Sequence, residues 1–267
     1  MTDLDGRSRY LRRLILRGVE GTRKGHIGSA LSSVEIIRVL YDDIMHYCPD
    51  NPLWPERDRF ILSKGHGCLA LYAILADKGF ISVEELDTYA LDGSRLGGCS
   101  EIIVPGVEAT TGALGHGLSI GIGMALAARL QKRRSRVYVL LGDGELDEGA
   151  VWEAALCAAK HRLTNLIAIV DCNKLQLSGP TSEVLNLEPL RAKWEAFGFA
   201  TTGVDGHNVE VLKRTFENLP LAEHKPSAVI CHAVKGKGLP FAEHDYAWHW
   251  KGGIDDALLA QMKEALE

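Results

Sequence analysis

None of the six cysteines forms a CxxC pair. Cys48, Cys68, Cys99, Cys157, Cys172 and Cys231 are scattered singly, which excludes a zinc ribbon or a vicinal redox pair and suits small apolar residues in a reducing compartment. Positive charge is not in excess either. The formal net charge is −5, so there is no electrostatic footprint for nucleic acid or an anionic membrane. Apolar stretches are interrupted by Gly, Asp or Arg before they reach the length of a membrane span. The opening MTDLDGRSRYLRR lacks the apolar core of a signal peptide. Repeats, low-complexity runs and Pro/Ser-rich linkers are missing. No GxGxxG follows an early strand, and the glycines within 115–125 fall in a helix-like stretch, which argues against a nicotinamide-binding fold. What remains is a cytoplasmic chain of 267 residues, 46% hydrophobic and 24% charged, read as one domain over 1–267.

Helical spacing of apolar residues predicts helices over 7–24 (Leu11, Leu14, Ile15, Val19) and over 33–47, with Ser33 as N-cap. A small-residue helix is expected near 66–78, after the β-rich run RFILS. A buried helix is expected over 115–134, its Gly and Ala content allowing close packing and its basic end, Lys132 to Arg134, suiting a C-terminus. VYVLL (137–141), LIAIV (166–170) and SAVICHAV (227–234) are uniformly apolar and β-branched, as strands covered on both faces are. An Ala-rich helix over 149–161 joins the first two into a βαβ unit, and a further helix covers roughly 208–219. The expected fold class is α/β, a mostly parallel sheet with helices on both faces.

The stretch GDGELDEG begins where the first of these strands ends, and Asn173 lies where the second ends. Ligands of open parallel sheets sit outside the carboxyl ends of strands. Asp143 and Asn173 would therefore share one rim. Carboxylate and amide oxygens are hard ligands suited to Mg²⁺, which takes its other ligands from phosphate and water. Gly142 and Gly144 leave backbone N–H groups open to a diphosphate, and a helix from about 148 would aim its positive end there. The expected ligand is a Mg²⁺-bound diphosphate, presented by turns rather than by a lysine clamp. Glu145 and Asp147 are read as complements to the helix dipole. Lys235 and Lys237 are read as a solvated loop.

The GDG unit followed by an apolar strand ending in Asn resembles the thiamine diphosphate motif. KGHIGSALSSVEI (24–36), RDRFILSKGHGCLALYAIL (57–75), PGVEATTGALGHGLSIGIGMALA (105–127) and VKGKGLPFAEHDYAWH (234–249) resemble the transketolase branch of that superfamily, in its order and over nearly the whole chain. The resemblance covers the N-terminal, diphosphate-binding (PP) part of such enzymes. It implies Asp143, Asn173 and the main-chain carbonyl of Leu175 as ligands of Mg²⁺ (or Ca²⁺ or Mn²⁺). It implies Gly144, His66, Asn173 and His249 at the cofactor, with Gly112, Ala113 and Leu114 along its length. His26 and His249 would face the sugar hydroxyls and move protons, with pKa values near neutrality. Glu148 matches a glutamate at the dimer interface, linked to the partner active site.

The implied reaction is transfer of a two-carbon ketol unit from a ketose (phosphate) to an aldose (phosphate). The glutamate that activates the cofactor lies on a pyrimidine-binding domain, which this chain does not include. The expectation is a split enzyme: this chain as the N-terminal subunit, a second chain supplying the pyrimidine half, and an A2B2 heterotetramer. Other readings are a 1-deoxyxylulose-5-phosphate synthase-like or specialised acyl or ketol transferase, and a non-catalytic binding subunit. One departure stands out. Where many transketolases carry His-Pro shortly before PGVE, this chain has Gly98 and Cys99, which puts the ordinary pentose phosphate donor in doubt.

Overall fold

The computed structural model describes residues 4–267. Its centre is a five-stranded, all-parallel sheet in the order β1 (Arg59–Leu62), β2 (Val137–Gly142), β3 (Leu166–Cys172), β7 (Ser227–His232), β6 (Ala200–Asp205). Side chains alternate between faces along a strand, and both faces are covered. Tyr138, Leu140, Ile167, Ile169, Val229 and Cys231 join one core with α1 (Gly6–Glu20), α2 (Ile27–Leu31), α3 (Val34–Val39), α4 (Cys68–Asp77), α9 (Val209–Glu217) and α10 (Asp256–Glu264). Val137, Val139, Leu141, Ala168, Val170 and Ile230 join the other, under α5 (Gly117–Leu130), α6 (Gly149–Lys160) and α8 (Leu190–Ala196). This double burial is why VYVLL and LIAIV read as unbroken apolar runs rather than alternating ones.

Several expectations need correction. Ser33 does not cap a helix through its side chain: helical structure begins earlier, at Ile27, and the Ser33 hydroxyl bonds the Ser29 carbonyl and Asp171 instead. The chain leaves α3 through one wide turn over Leu40–Ile44. The helix expected over 115–134 stops at Leu130, which is exposed, and only one of its faces is buried. Close packing does hold there: a Cβ on Gly121 would lie 2.6 Å from Val139 Cγ2. Strand β6 was not foreseen, because ATTGVD is half-exposed and polar, as an edge strand can be. A short hairpin of β4 (Leu175–Gln176) and β5 (Gly179–Pro180), followed by the single turn α7 (Thr181–Val184), was likewise unsignalled. Among the described residues no helix is long and apolar enough to cross a membrane, and all six cysteines are free.

Arg7 on α1 is held between Asp42 (Nη2–Oδ1 2.9 Å) and Asp77 at the end of α4 (Nη1–Oδ1 2.7 Å), while Lys78 reaches the same Asp42 oxygen at 2.5 Å. Burial raises the Asp42 carboxyl pKa, but Arg7 and Lys78 outweigh it and hold it below its ordinary 3.8. A depressed carboxylate contributes stability above its unfolded pKa and loses it as pH falls towards the folded one. Asp42→Asn is therefore expected to lower Tm at neutral pH, with the deficit shrinking below pH 3.8. A deficit unchanged by acid would refute the assignment.

Candidate active site at the strand ends

Four neighbouring strands deliver residues to one cleft of about 320 Å³. After β1 come Lys64 and His66. After β2 comes Asp143, and after β3 comes Asn173. The segment beyond β7 brings Lys235. His26, at the start of α2, and His249, after a short 3-10 turn (Tyr246–Trp248), complete the wall. Gly28 permits this seating, since a Cβ there would lie 2.6 Å from the Trp248 carbonyl oxygen.

Asp143 and Asn173 do meet at the rim. Asp143 Oδ1 accepts from Gly144 N at 2.9 Å, and its Oδ2 accepts from Lys174 N. Asn173 Oδ1 accepts from Leu175 N at 3.1 Å. Burial, reinforced by the neighbouring Asp171, pushes the Asp143 carboxyl up to about 6. A carboxylate so placed is short of positive charge. Together with the Asn173 amide and the Leu175 carbonyl it makes a hard-oxygen set that fits Mg²⁺ or Ca²⁺. Among the described residues no group of three His, Cys, Asp or Glu could hold a metal; this set has only one carboxylate.

The three histidines cluster, with ring centroids 4.9 Å (His66–His249), 5.2 Å (His26–His66) and 5.7 Å (His26–His249) apart. His66 and His249 are not poised near neutrality, and His26 is shifted in the same direction. Burial first, then Lys235, lowers His26 and brings His249 to about 3; burial and Lys64 hold His66 well below its usual value. The lowered pKa values favour the uncharged rings, each with one nitrogen that donates and one that accepts. Lys235 Nζ lies 2.9 Å from His249 Nδ1. An ammonium only donates, so His249 carries its ring proton on Nε2 and can donate from there.

The lysines are the main correction. Lys235 is 1% exposed, and its Nζ donates to Leu175 O at 2.8 Å; Lys237 is buried too, 3.5 Å from Glu243. Neither is in a solvated loop. Burial, followed by Lys64, depresses Lys235 to about 8. Lys64 was not singled out from the sequence at all. Its Nζ donates to Ser29 O and Ser33 Oγ, both at 2.9 Å, and pairs with Asp171. The cleft is thus lined by two cations, not by turns alone. Asp171 was also missed, since it ends an apolar run and gives no sign of its own.

Glu145 is not a solvated complement to the helix dipole. Glu145 is buried and accepts from Gly115 N (2.9 Å), Gly142 N (3.0 Å) and Ser63 Oγ, tying three segments beneath the cleft. Asp147 accepts from Gln176 Nε2 at 3.2 Å. A 3-10 turn, Gly144–Asp147, separates Asp143 from α6, so the helix begins one turn later than the rim. Gly112 and Leu114 line the cleft, with Cys99 beside them; Ala113 and Glu148 are exposed outside it.

Comparison with known proteins agrees with this architecture. The profile described as "Transketolase, thiamine diphosphate binding domain" matches residues 7–266. One subunit of the apulose-4-phosphate transketolase of Phocaeicola vulgatus is 46% identical over 92% of this chain and 88% of its own length. The 6-deoxy-6-sulfo-D-fructose transketolase subunit SqwG of a Clostridium strain is 44% identical over 94% and 95%. Human transketolase is 39% identical over 90% of this chain, which spans only 38% of the human protein. The structure of Leishmania mexicana transketolase superposes with a TM-score of 0.91 at 31% identity, over 100% of this chain and 41% of that one. The chain belongs to the transketolase family, a family of transferases, and corresponds to its thiamine diphosphate-binding domain.

Proposed function

We propose that residues 1–267 form one domain that serves as the diphosphate-binding subunit of a two-chain transketolase, transferring a two-carbon ketol unit between a ketose and an aldose. The carrying observation is one of length: two relatives named as transketolase subunits match this chain over 88% and 95% of themselves, whereas it spans 38% of the human enzyme. The second subunit would contribute the pyrimidine-binding domain and its activating glutamate, in a cytoplasmic A2B2 assembly. Glu148, exposed beside α6, would face that partner.

Asp143, Asn173 and the Leu175 carbonyl would hold the divalent metal. Gly144, His66, Asn173 and His249 would hold the diphosphate end of thiamine diphosphate, and Gly112, Ala113 and Leu114 would lie along it. The cofactor supplies a thiazolium that accepts the two-carbon unit. This chain's residues do the rest. Lys64 and Lys235 offset the diphosphate's negative charge. His26, neutral in the cleft, would take protons from sugar hydroxyls and return them, and His249 would donate its Nε2 proton to a sugar oxygen.

The donor is a specialised ketose or ketose phosphate. Nothing lies within 4 Å of where a Cβ on Gly98 would stand, and Cys99 lines the cleft. With Cys99 in place of the proline of the usual His-Pro pair, this wall of the cleft suits a donor other than the ordinary pentose phosphate, in keeping with relatives named for apulose-4-phosphate and 6-deoxy-6-sulfo-D-fructose. The test is reconstitution of both chains with thiamine diphosphate, Mg²⁺ and ketose–aldose pairs, with products identified by mass spectrometry. Turnover is expected only from the mixture. Turnover by this chain alone refutes the split arrangement, and release of CO₂ from pyruvate would favour a synthase-type reaction.

A further inference from the structure

Beneath the cleft lies a buried charged network, two of whose members bond the segment carrying Lys235. Arg12 on α1 is fully buried, and Glu35 on α3 nearly so. Arg12 Nη1 and Nη2 fork onto Glu35 at 2.5 and 3.0 Å, the bidentate geometry that guanidinium and carboxylate favour. The remaining Arg12 nitrogen, Nε, reaches the Lys237 carbonyl at 2.8 Å. The second Glu35 oxygen lies 2.8 Å from His207 Nδ1. His207 Nε2 lies 2.8 Å from Val234 N, which can only donate. His207 Nε2 is therefore the acceptor, and the ring proton sits on Nδ1, pointing at Glu35.

The two contacts fall on either side of Lys235. Val234 is held by His207, and Lys237 by Arg12. Between them the chain needs holding: Gly236 and Gly238 have φ of 79° and 97°, conformations that glycine adopts without strain. Gly236 N also donates to Gly28 O at 3.1 Å, beside the histidine wall. Lys235 is the one side chain of this segment that enters the cleft.

We propose that His207 and Arg12, coupled through Glu35, form a clamp that positions Lys235, so that His207 is a positioning residue for cofactor binding although it lies outside the cleft. This rests on the reading of the cleft as a thiamine diphosphate site. A buried network satisfied at every member fixes one geometry. Removing His207 leaves the Val234 N–H without its acceptor and frees one end of the segment.

The experiment is a double-mutant cycle, read as thiamine diphosphate affinity by calorimetry on the chain assembled with its pyrimidine-domain partner and Mg²⁺. His207→Ala is expected to weaken affinity about tenfold, the loss of one buried hydrogen bond. In a Lys235→Met background the same substitution is expected to change affinity less than about twofold. Leu212→Ala on α9, a core truncation nearby, controls for stability: it should lower Tm and leave affinity within about twofold of wild type. If His207→Ala does not fold, His207→Asn replaces it in the cycle, since its amide keeps an N–H for Glu35 and removes the acceptor for Val234. Unchanged affinity in the folded variant, or additive losses with Lys235→Met, overturns the clamp. Failure of the wild-type assembly to bind the cofactor overturns instead the reading beneath it, and the clamp with it.

Discussion

Asp143→Asn is expected to weaken Mg²⁺-dependent binding of thiamine diphosphate by about a hundredfold or more while leaving the fold intact. Removing groups that merely support a metal's ligands costs roughly 10–100-fold, and Asp143 is the one anionic side chain in the proposed ligand set. The stability effect runs the other way. Burial pushes this carboxyl up to about 6, so its charged form is disfavoured in the folded chain at neutral pH. An amide removes that burden and keeps an acceptor for one of the two backbone donors, Gly144 N or Lys174 N, so the gain and the lost hydrogen bond offset each other. The Tm of the cofactor-free chain should therefore stay within about 3 °C of wild type or rise. Calorimetry and thermal melts separate the two quantities. Wild-type affinity in Asp143→Asn would remove this residue from the metal site.

The second large effect concerns folding. Lys64→Met strands the Asp171 carboxylate, which is wholly buried. One of its oxygens pairs with Lys64 and the Ser32 hydroxyl, and the other has no hydrogen-bond partner. Burial raises the Asp171 pKa, and Lys64 more than reverses this. Breaking a buried pair by removing one partner costs about 3–5 kcal/mol, because an uncompensated charge remains. Lys64→Met should lose that much stability in urea titrations. The double variant Lys64→Met/Asp171→Leu should recover most of it. If the single variant is as stable as wild type, Lys64 is not neutralising Asp171 in the way its position indicates.

The sequence disclosed what depends on local pattern. Doubly buried strands announce themselves as apolar runs, and residues directly after them inherit a place on the rim; hence Asp143 and Asn173 were found together. The histidines emerged only through resemblance, because His26, His66 and His249 are far apart in the chain and no spacing links them. What stayed hidden depends on which side of a loop faces inward. Lys235 lies among Gly and Lys in a stretch that composition marks as exposed, yet its segment folds under α2. Glu145 carries a charge that looks solvated, yet three segments close over it. An edge strand such as β6, half-wet and polar, lacks the signature that marks its inner neighbours.

Lys174 shows a further consequence of the rim. Its φ is 65°, and this kink turns its own N–H towards Asp143 while its side chain leaves to meet Glu188. The kink, rather than the ammonium group, is what the Asp143 carboxylate relies upon. Glycine or asparagine at this position would keep the left-handed backbone, whereas the branching of valine or isoleucine would disfavour it and turn that amide away.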